Sequence, residues 1–227
     1  LERVKERRRK LQRVRVSGPA ERVVQLCLVG RTSLVVSAAR PAALPNGGLD
    51  LAPWPAGAVE IAEDKRAPSR AYRKLEEAFA WMGEAPRPDE RVVDLGGCPG
   101  GWAWKALERG AFVTAVDRSP LLPPAAGHPR LSMVLGNAFT WRPPAPVDWL
   151  VCDVICEPER TIELVHAWLD RRLCRRIVAT IKFKGRDRYG VLGAVPAALA
   201  AKGCDFVRIK HLANNKNEVE LMAKLGA

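Results

Sequence analysis

Histidine is scarce in this 227-residue chain, and its cysteines are not spaced for a shared task. His128, His166 and His211 lie far apart, and Cys27, Cys98, Cys152, Cys156, Cys174 and Cys204 form no CxxC pair. That leaves no spacing suited to a zinc site or a disulfide framework. Cysteines inside apolar runs, as in Val151-Cys152-Asp153, are expected to be small buried residues in a reducing cytoplasm. No apolar run reaches the roughly 18 residues needed to cross a bilayer, and no signal-peptide pattern opens the chain. These absences argue against a membrane protein, a disulfide scaffold and a metal centre, and favour a soluble cytoplasmic protein. The first residue is Leu1 rather than Met, which reads as a piece of a longer polypeptide.

What is present is an ordinary core and an unusual charge. A composition of 48% hydrophobic and 27% charged residues suits a globular protein. The length allows one substantial α/β domain with a small appendage. The net charge of +12 favours polyanionic partners. Residues 1–16 carry eight Lys/Arg against two Glu and so hold half of that excess. Charge alone does not separate RNA from DNA or from an acidic membrane.

Along the chain, Arg22–Val29 and Ser33–Ser37 read as two strands joined at Gly30-Arg31-Thr32. The stretch Pro41–Gly57, with four prolines and Asn46-Gly47-Gly48, reads as a linker. Ser69 is the expected cap of a helix from Arg70 to Met82, whose apolar stripe is Leu75, Ala78, Phe79 and Met82. Beyond it, strands are expected at 91–95, 112–116, 131–135, 147–152, 175–182, 203–209 and 217–223. Helices are expected at 100–109, 158–172 and 190–202. Apolar strands alternating with amphipathic helices predict a mainly parallel sheet covered on both faces. The expected division is a basic leader, hairpin and linker over 1–62, and one α/β domain over 63–227.

Val92-Val93-Asp94-Leu95 stops at Gly96-Gly97-Cys98-Pro99-Gly100-Gly101, and a helical pattern follows. Such a strand–turn–helix lets backbone approach a ligand closely. The G-x-G-x-x-G pattern itself is not met, because Gly96, Cys98 and Gly101 occupy its places. The next strand ends in Asp117, 21 residues after Gly96, where a carboxylate can accept both hydroxyls of an adenosine ribose. Dinucleotide and S-adenosylmethionine sites share this logic. The Arg118-Ser119-Pro120 that follows offers no second phosphate cradle, which tilts the reading away from a dinucleotide. Four polar residues then stand where an apolar pattern does not place them: Lys74 on the helix before the first strand of the domain, Asp153 and Lys182 ending two strands, and Glu218 opening the last.

With these segments in view, the sequence resembles the FtsJ-like RNA 2′-O-ribose methyltransferases, and within them the RlmM type, which acts on a cytidine of bacterial 23S ribosomal RNA. The resemblance rests on Ala67–Phe79, Asp94–Trp102, Val151-Cys152-Asp153 and Asn217-Glu218-Val219, and runs from about residue 20 to the C-terminus. It implies a class I methyltransferase fold, a seven-stranded mixed sheet with one antiparallel strand near the edge, preceded by a small β-containing N-terminal extension. It implies S-adenosyl-L-methionine as cofactor and RNA, as ribosomal RNA or a ribosome precursor, as partner. The family's Lys-Asp-Lys-Glu tetrad falls on Lys74, Asp153, Lys182 and Glu218. Lys182 is then the base for the 2′-hydroxyl, Asp153 and Lys74 orient and tune it, and Glu218 holds a lysine or the ribose. Gly96, Gly97, Pro99, Gly100, Gly101 and Trp102 fall at the methionine end of the cofactor, and Asp117 at its ribose. Asn137 stands where relatives carry Asp facing the adenine. The front end departs from the pattern, since the hairpin and Trp54-Pro55-Ala56-Gly57 correspond only to the tail of a THUMP RNA-binding domain.

Overall fold

The computed structural model describes residues 22–51, 59–183 and 188–226. The basic leader, the Trp54–Gly57 stretch, and Lys184 and Gly185 lie outside the described residues. The chain divides into a small unit over Leu1–Ala43 and Leu49–Ala58, and a larger one over Leu44–Gly48 and Val59–Ala227.

In the small unit, β1 (Val23–Leu28) and β2 (Leu34–Ala39) pair antiparallel from Val23 opposite Ala39 to Leu28 opposite Leu34. This is the hairpin expected from the Gly30-Arg31-Thr32 turn. Two shorter strands follow, β3 (Ala42–Ala43) and β4 (Leu49–Leu51), also paired antiparallel.

The larger unit holds α1 (Tyr72–Met82), β5 (Arg91–Leu95), α2 (Gly101–Glu108), β6 (Phe112–Asp117), β7 (Leu131–Leu135) and β8 (Val147–Cys152). It continues with α3 (Pro158–Asp170), β9 (Cys174–Lys182), α4 (Val195–Ala201), β10 (Cys204–Lys210) and β11 (Glu218–Leu225). Seven strands form one sheet in the order β10-β11-β9-β8-β5-β6-β7. All neighbours from β9 to β7 are parallel, whereas β11 runs antiparallel to both β9 and β10. The expected mixed sheet with its one reversed strand next to the edge is therefore the observed one.

Strand alternation sorts the side chains between the two faces. Val93, Leu95, Leu150, Cys152, Ile177, Ala179, Ile181, Val219, Leu221 and Ala223 pack with Leu164, Val165, Trp168 and Leu169 of α3 and Val195 and Leu199 of α4. The alternate residues of the same strands face the side of α1 and α2, where Phe79 meets the Trp149 ring edge-on at 5.2 Å. That side carries the polar residues: Asp94 on β5, Thr180 and Lys182 on β9, and Glu218 and Glu220 on β11.

Three local expectations need correction. The helix before β5 starts at Tyr72, not Arg70, and Ser69 does not cap it; Ala71 is the N-cap, with no side-chain hydrogen bond. Ser69 is instead drawn against Gly101, where an added Cβ would stand 2.4 Å from the Ser69 Oγ. The single helix expected over 190–202 is a short 3-10 turn (Tyr189–Leu192) followed by α4. Pro196 in the first turn of α4 lacks an N–H and suits a helix start rather than a helix interior. The Pro41–Gly57 stretch is not purely a linker. It contains β3 and β4, and residues 44–48 belong to the larger unit, where Asn46 Nδ2 donates to the Asp205 carbonyl at 2.9 Å and Lys224 Nζ donates to the Asn46 carbonyl at 2.9 Å.

Trp168 is fully buried in the α3 face, yet its indole N–H has no hydrogen-bond partner. Trp168→Ala should cost about 3–5 kcal/mol of stability in denaturant unfolding, as large-to-small core changes do. Trp168→Phe should cost clearly less, because no hydrogen bond is lost with the ring nitrogen. Equal losses for the two would contradict this packing.

Candidate active site

The parallel strands β5, β6 and β8 end on the same edge of the sheet, and the chain leaves that edge through the glycine turn. Gly96 has φ +78, and a Cβ there would lie 2.7 Å from Val154 Cγ2, on the loop that follows β8. Only glycine fits both the dihedral and the space. The turn then passes Pro99, whose carbonyl accepts from the Leu122 N–H at 2.9 Å. It enters α2 at Gly100, the N-cap, so the start of the helix faces the cavity beside the turn. Trp102 is anchored by its Nε1 donating to the Ala71 carbonyl at 2.9 Å. The segment before α1 is held in turn by Tyr72, whose hydroxyl donates to the Ala62 carbonyl at 3.1 Å and accepts from the Asp64 N–H at 2.7 Å.

Beside the turn lies a groove in two halves. One half, about 390 Å³, is lined by Gly96, Gly97, Pro99, Gly101, Trp102 and Asp117, and also by Asp153 and Lys182. The other, about 380 Å³, shares Gly96, Asp117, Val154 and Ile155 and adds Asn137, Phe139 and Arg160. Asp117 thus stands at the junction of the halves. Its carboxylate accepts from the Cys98 N–H at 3.1 Å and from the Ser119 N–H at 3.0 Å. Asn137 turns its Oδ1 to the Phe139 N–H at 3.0 Å, which fixes the loop after β7. Gly100 lines neither half. A larger cavity, about 900 Å³, is framed by Arg91, Val147, Cys174 and Lys224, at the opposite strand ends, and is remote from these groups.

Lys74, Asp153, Lys182 and Glu218 come together at the edge of the first half. Asp153 is central. Lys74 Nζ donates to both of its carboxylate oxygens at 3.1 Å, and Lys182 Nζ reaches Oδ1 at 2.8 Å and the Asp153 carbonyl at 2.8 Å. Lys74 also donates to Glu218 Oε1 at 3.1 Å. Glu218 and Lys182 are direct partners across the β9–β11 pairing, so strand register sets their proximity. Lys182 faces the groove, whereas Lys74 and Glu218 line a separate cavity of about 530 Å³ with Arg70, Arg73 and Lys216. Burial favours loss of the Lys74 proton, but Asp153, Glu220 and Glu218 outweigh it and raise its pKa. Lys74 is thus a fixed cation, shared between carboxylates.

Three further polar groups escaped sequence reasoning. The Ser69 Oγ is buried without a partner and lines the groove. Glu220 is wholly buried beneath Lys74. Asp94 lies under the glycine turn with neither oxygen in hydrogen-bond geometry. Burial, and next the Asp153 charge, push its carboxyl up to about 8, and the nearby Ala103 amide offsets this only in part. Alternation could have revealed Glu220, since Glu218-Val219-Glu220 puts both glutamates on one face. Among the described residues no group of His, Cys, Asp or Glu is arranged to hold a metal, and no helix is long and apolar enough to cross a membrane.

Comparison with known proteins places this geometry in context. A model of the FtsJ-like methyltransferase family matches residues 67–187. The Ribosomal RNA large subunit methyltransferase M of Laribacter hongkongensis (strain HLHK9) is 35% identical over 216 residues, covering 90% of this chain and 59% of the relative. The protein of the same name from Thauera aminoaromatica is 35% identical over 176 residues, covering 73% of this chain and 48% of the relative. The chain spans about half the length of the curated relatives it matches. Among solved structures, a Streptococcus thermophilus protein described as a hemolysin aligns with a TM-score of 0.56 at 20% identity, over 74% of this chain and 70% of that one. A chain of a fibrillarin/Nop5p complex aligns at 0.51 and 18% identity, over 75% of this chain and 90% of that one. At such identities these structures show the fold alone.

The Asp94 carboxyl makes a pH prediction. A folded-state pKa raised to about 8 means that its contribution to stability is full below the ordinary carboxylate range and is lost as pH rises through 8. Asp94→Asn removes that loss. Its melting temperature relative to the parent protein should therefore rise between pH 5 and pH 9. A difference that stays flat over this range would show that Asp94 is already ionised in the fold.

Proposed function

The chain belongs to the FtsJ-like methyltransferase family, and from that premise we propose that it transfers a methyl group from S-adenosyl-L-methionine to a ribose 2′-hydroxyl of RNA. The RNA we assign is large-subunit ribosomal RNA, free or in a ribosome precursor, which places the reaction in the cytoplasm. The observation that carries this reading is the run of Lys182, Asp153, Lys74 and Glu218 beside the groove of the glycine turn. The names of the curated relatives support the RNA class. The excess of basic residues supports a polyanionic substrate.

The groove residues fit the cofactor. Backbone at Gly96 and Gly101 leaves no room for a Cβ, and the buried Ser69 Oγ has a hydrogen bond to give. Gly96, Gly97, Pro99, Gly101 and Trp102 would hold the methionine end. Gly100 would act by opening α2 rather than by contact. Asp117 would take the ribose and Asn137 the adenine. When bound, the cofactor supplies an electrophilic sulfonium methyl.

The chain's own residues then act on the acceptor hydroxyl. That hydroxyl is a weak acid, so its attack gains from a positioned base. Lys182 is the base, accepting the 2′-hydroxyl proton at Nζ once it is in its amine form. Asp153 holds that nitrogen toward the groove, and its carbonyl accepts a second hydrogen bond from it. Lys74, a fixed cation, keeps the Asp153 carboxylate in place and offsets its charge. Glu218 fixes Lys74 from the substrate side. Arg70, Arg73 and Lys216 beside Lys74 offer charge for the RNA backbone. The hairpin of β1 and β2 is assigned to the tail of an RNA-binding region, with the basic leader beside it in sequence, and residues 63–227 to the methyltransferase domain.

Incubation with methyl-labelled cofactor and unmodified ribosomal RNA should yield alkali-resistant label, characteristic of 2′-O-methylation. Lys182→Ala should lower kcat by about 10²-fold or more, while cofactor affinity measured by calorimetry stays within severalfold. Label on a base, or no label on any RNA, would overturn the reading.

A further inference from the structure

The alternation that brings Glu218 to Lys74 brings a second carboxylate to it from the same strand. Glu220 has no exposed surface, and its Oε1 lies 4.0 Å from Lys74 Nζ. Its two oxygens accept from the Thr180 hydroxyl at 3.1 and 3.0 Å, and Oε1 accepts from Asn215 Nδ2 at 3.0 Å. Thr180 is its direct partner across the β9–β11 pairing. Asn215 is itself oriented, because its Oδ1 accepts from the Leu212 N–H at 2.6 Å, and the same Nδ2 lies 3.4 Å from Glu218 Oε1. One amide therefore spans the two glutamates that reach Lys74.

We propose that Glu220 is a positioning residue for the reaction, holding Lys74 from below so that Asp153 stays shared between Lys74 and Lys182. This rests on the reading of the site as a 2′-O-methyltransferase.

Its surroundings come from every element packed around it. The side of α1 gives Lys74 and Glu77, the latter engaged by the Ala213 N–H at 3.0 Å. The loop after β8 gives Asp153, β9 gives Thr180 and Lys182, β11 gives Glu218, and the loop before β11 gives Asn215. Across the other strand edge Glu220 pairs with Lys210 of β10, whose ammonium sits 4.3 Å from the centre of the Trp81 ring. Burial raises the Glu220 carboxyl to about 7, against the pull of Lys74. With Glu220 protonated, the ammoniums of Lys74 and Lys182 balance the carboxylates of Asp153 and Glu218. With Glu220 ionised, this five-residue cluster carries a net negative charge. Glu220 thereby couples the charge around Lys74 to pH near neutrality.

The test compares Glu220→Gln and Glu220→Ala with the parent protein in RNA methylation from pH 6 to 9. Glu220→Ala should lower kcat by about tenfold or more, with KM for RNA within about twofold. Glu220→Gln should recover most of that loss and abolish the change of kcat that the parent shows near pH 7. A residue that only fills space would change the melting temperature and leave the pH profile where it was. A second arm needs no activity. In protein labelled with ¹³C at lysine Cε, the Lys74 signal, assigned with Lys74→Arg, should inflect near pH 7 and lose that inflection in Glu220→Gln. This arm decides even if Glu220→Ala does not fold. RNA methylation without the inflection, or a Glu220→Gln profile that superimposes on the parent's, overturns the inference. The inflection in a protein that methylates no RNA supports the Glu220–Lys74 linkage and sinks only the proposed function.

Discussion

Everything at this site depends on one carboxylate, that of Asp153, held between two ammoniums. Removing a single ion from water into a protein interior costs several kcal/mol unless a partner and hydrogen bonds replace the solvent. Lys74 is buried and would be expelled or neutralised alone. It remains a cation because Asp153, Glu220 and Glu218 surround it. The arrangement is costly as a stabilising device, since apolar residues could fill the same volume at lower cost. Its retention beside a ligand-sized groove is therefore understood through chemistry rather than folding.

The fold supplies this cluster by parity and register. On β9 and β11, Ile177, Ala179, Ile181, Val219, Leu221 and Ala223 face α3 and α4, while on the α1 side Val178 and Met222 separate the groove-end polar set of Thr180, Lys182, Glu218 and Glu220 from Arg176 and Lys224 at the other end. Thr180 and Lys182 oppose Glu220 and Glu218 because β11 runs antiparallel to β9. A one-residue slip would turn both glutamates into the apolar α3 face. The reversed strand is thus what places carboxylates from a strand start beside a lysine from a strand end.

Much of this was legible in the sequence, for a physical reason. Buried parallel strands and amphipathic helices leave strong periodic patterns, so β5 to β11 and the apolar stripe of α1 fall where the pattern puts them. The glycine turn was legible because few other uses require so many glycines between a strand and a helix. What escaped depended on tertiary contact. Ser69 looks like a cap in one dimension, but the close approach of Gly101 draws it elsewhere. Asn46-Gly47-Gly48 has linker composition, yet the Asn46 side-chain amide donates to the Asp205 carbonyl and the Asn46 carbonyl accepts from Lys224. Glu220 and Asp94 carry no sign in composition of being buried; only the packing of α1 and α2 over the sheet makes them so.

The central claim is that this cluster serves 2′-O-methylation of ribosomal RNA. Its most direct test is a map of 2′-O-methyl groups on large-subunit ribosomal RNA from cells lacking the protein. The account predicts loss of methylation at a discrete ribose, restored by the parent gene and not by one carrying Lys182→Ala. An unchanged map, or restoration by the Lys182→Ala gene, would contradict it.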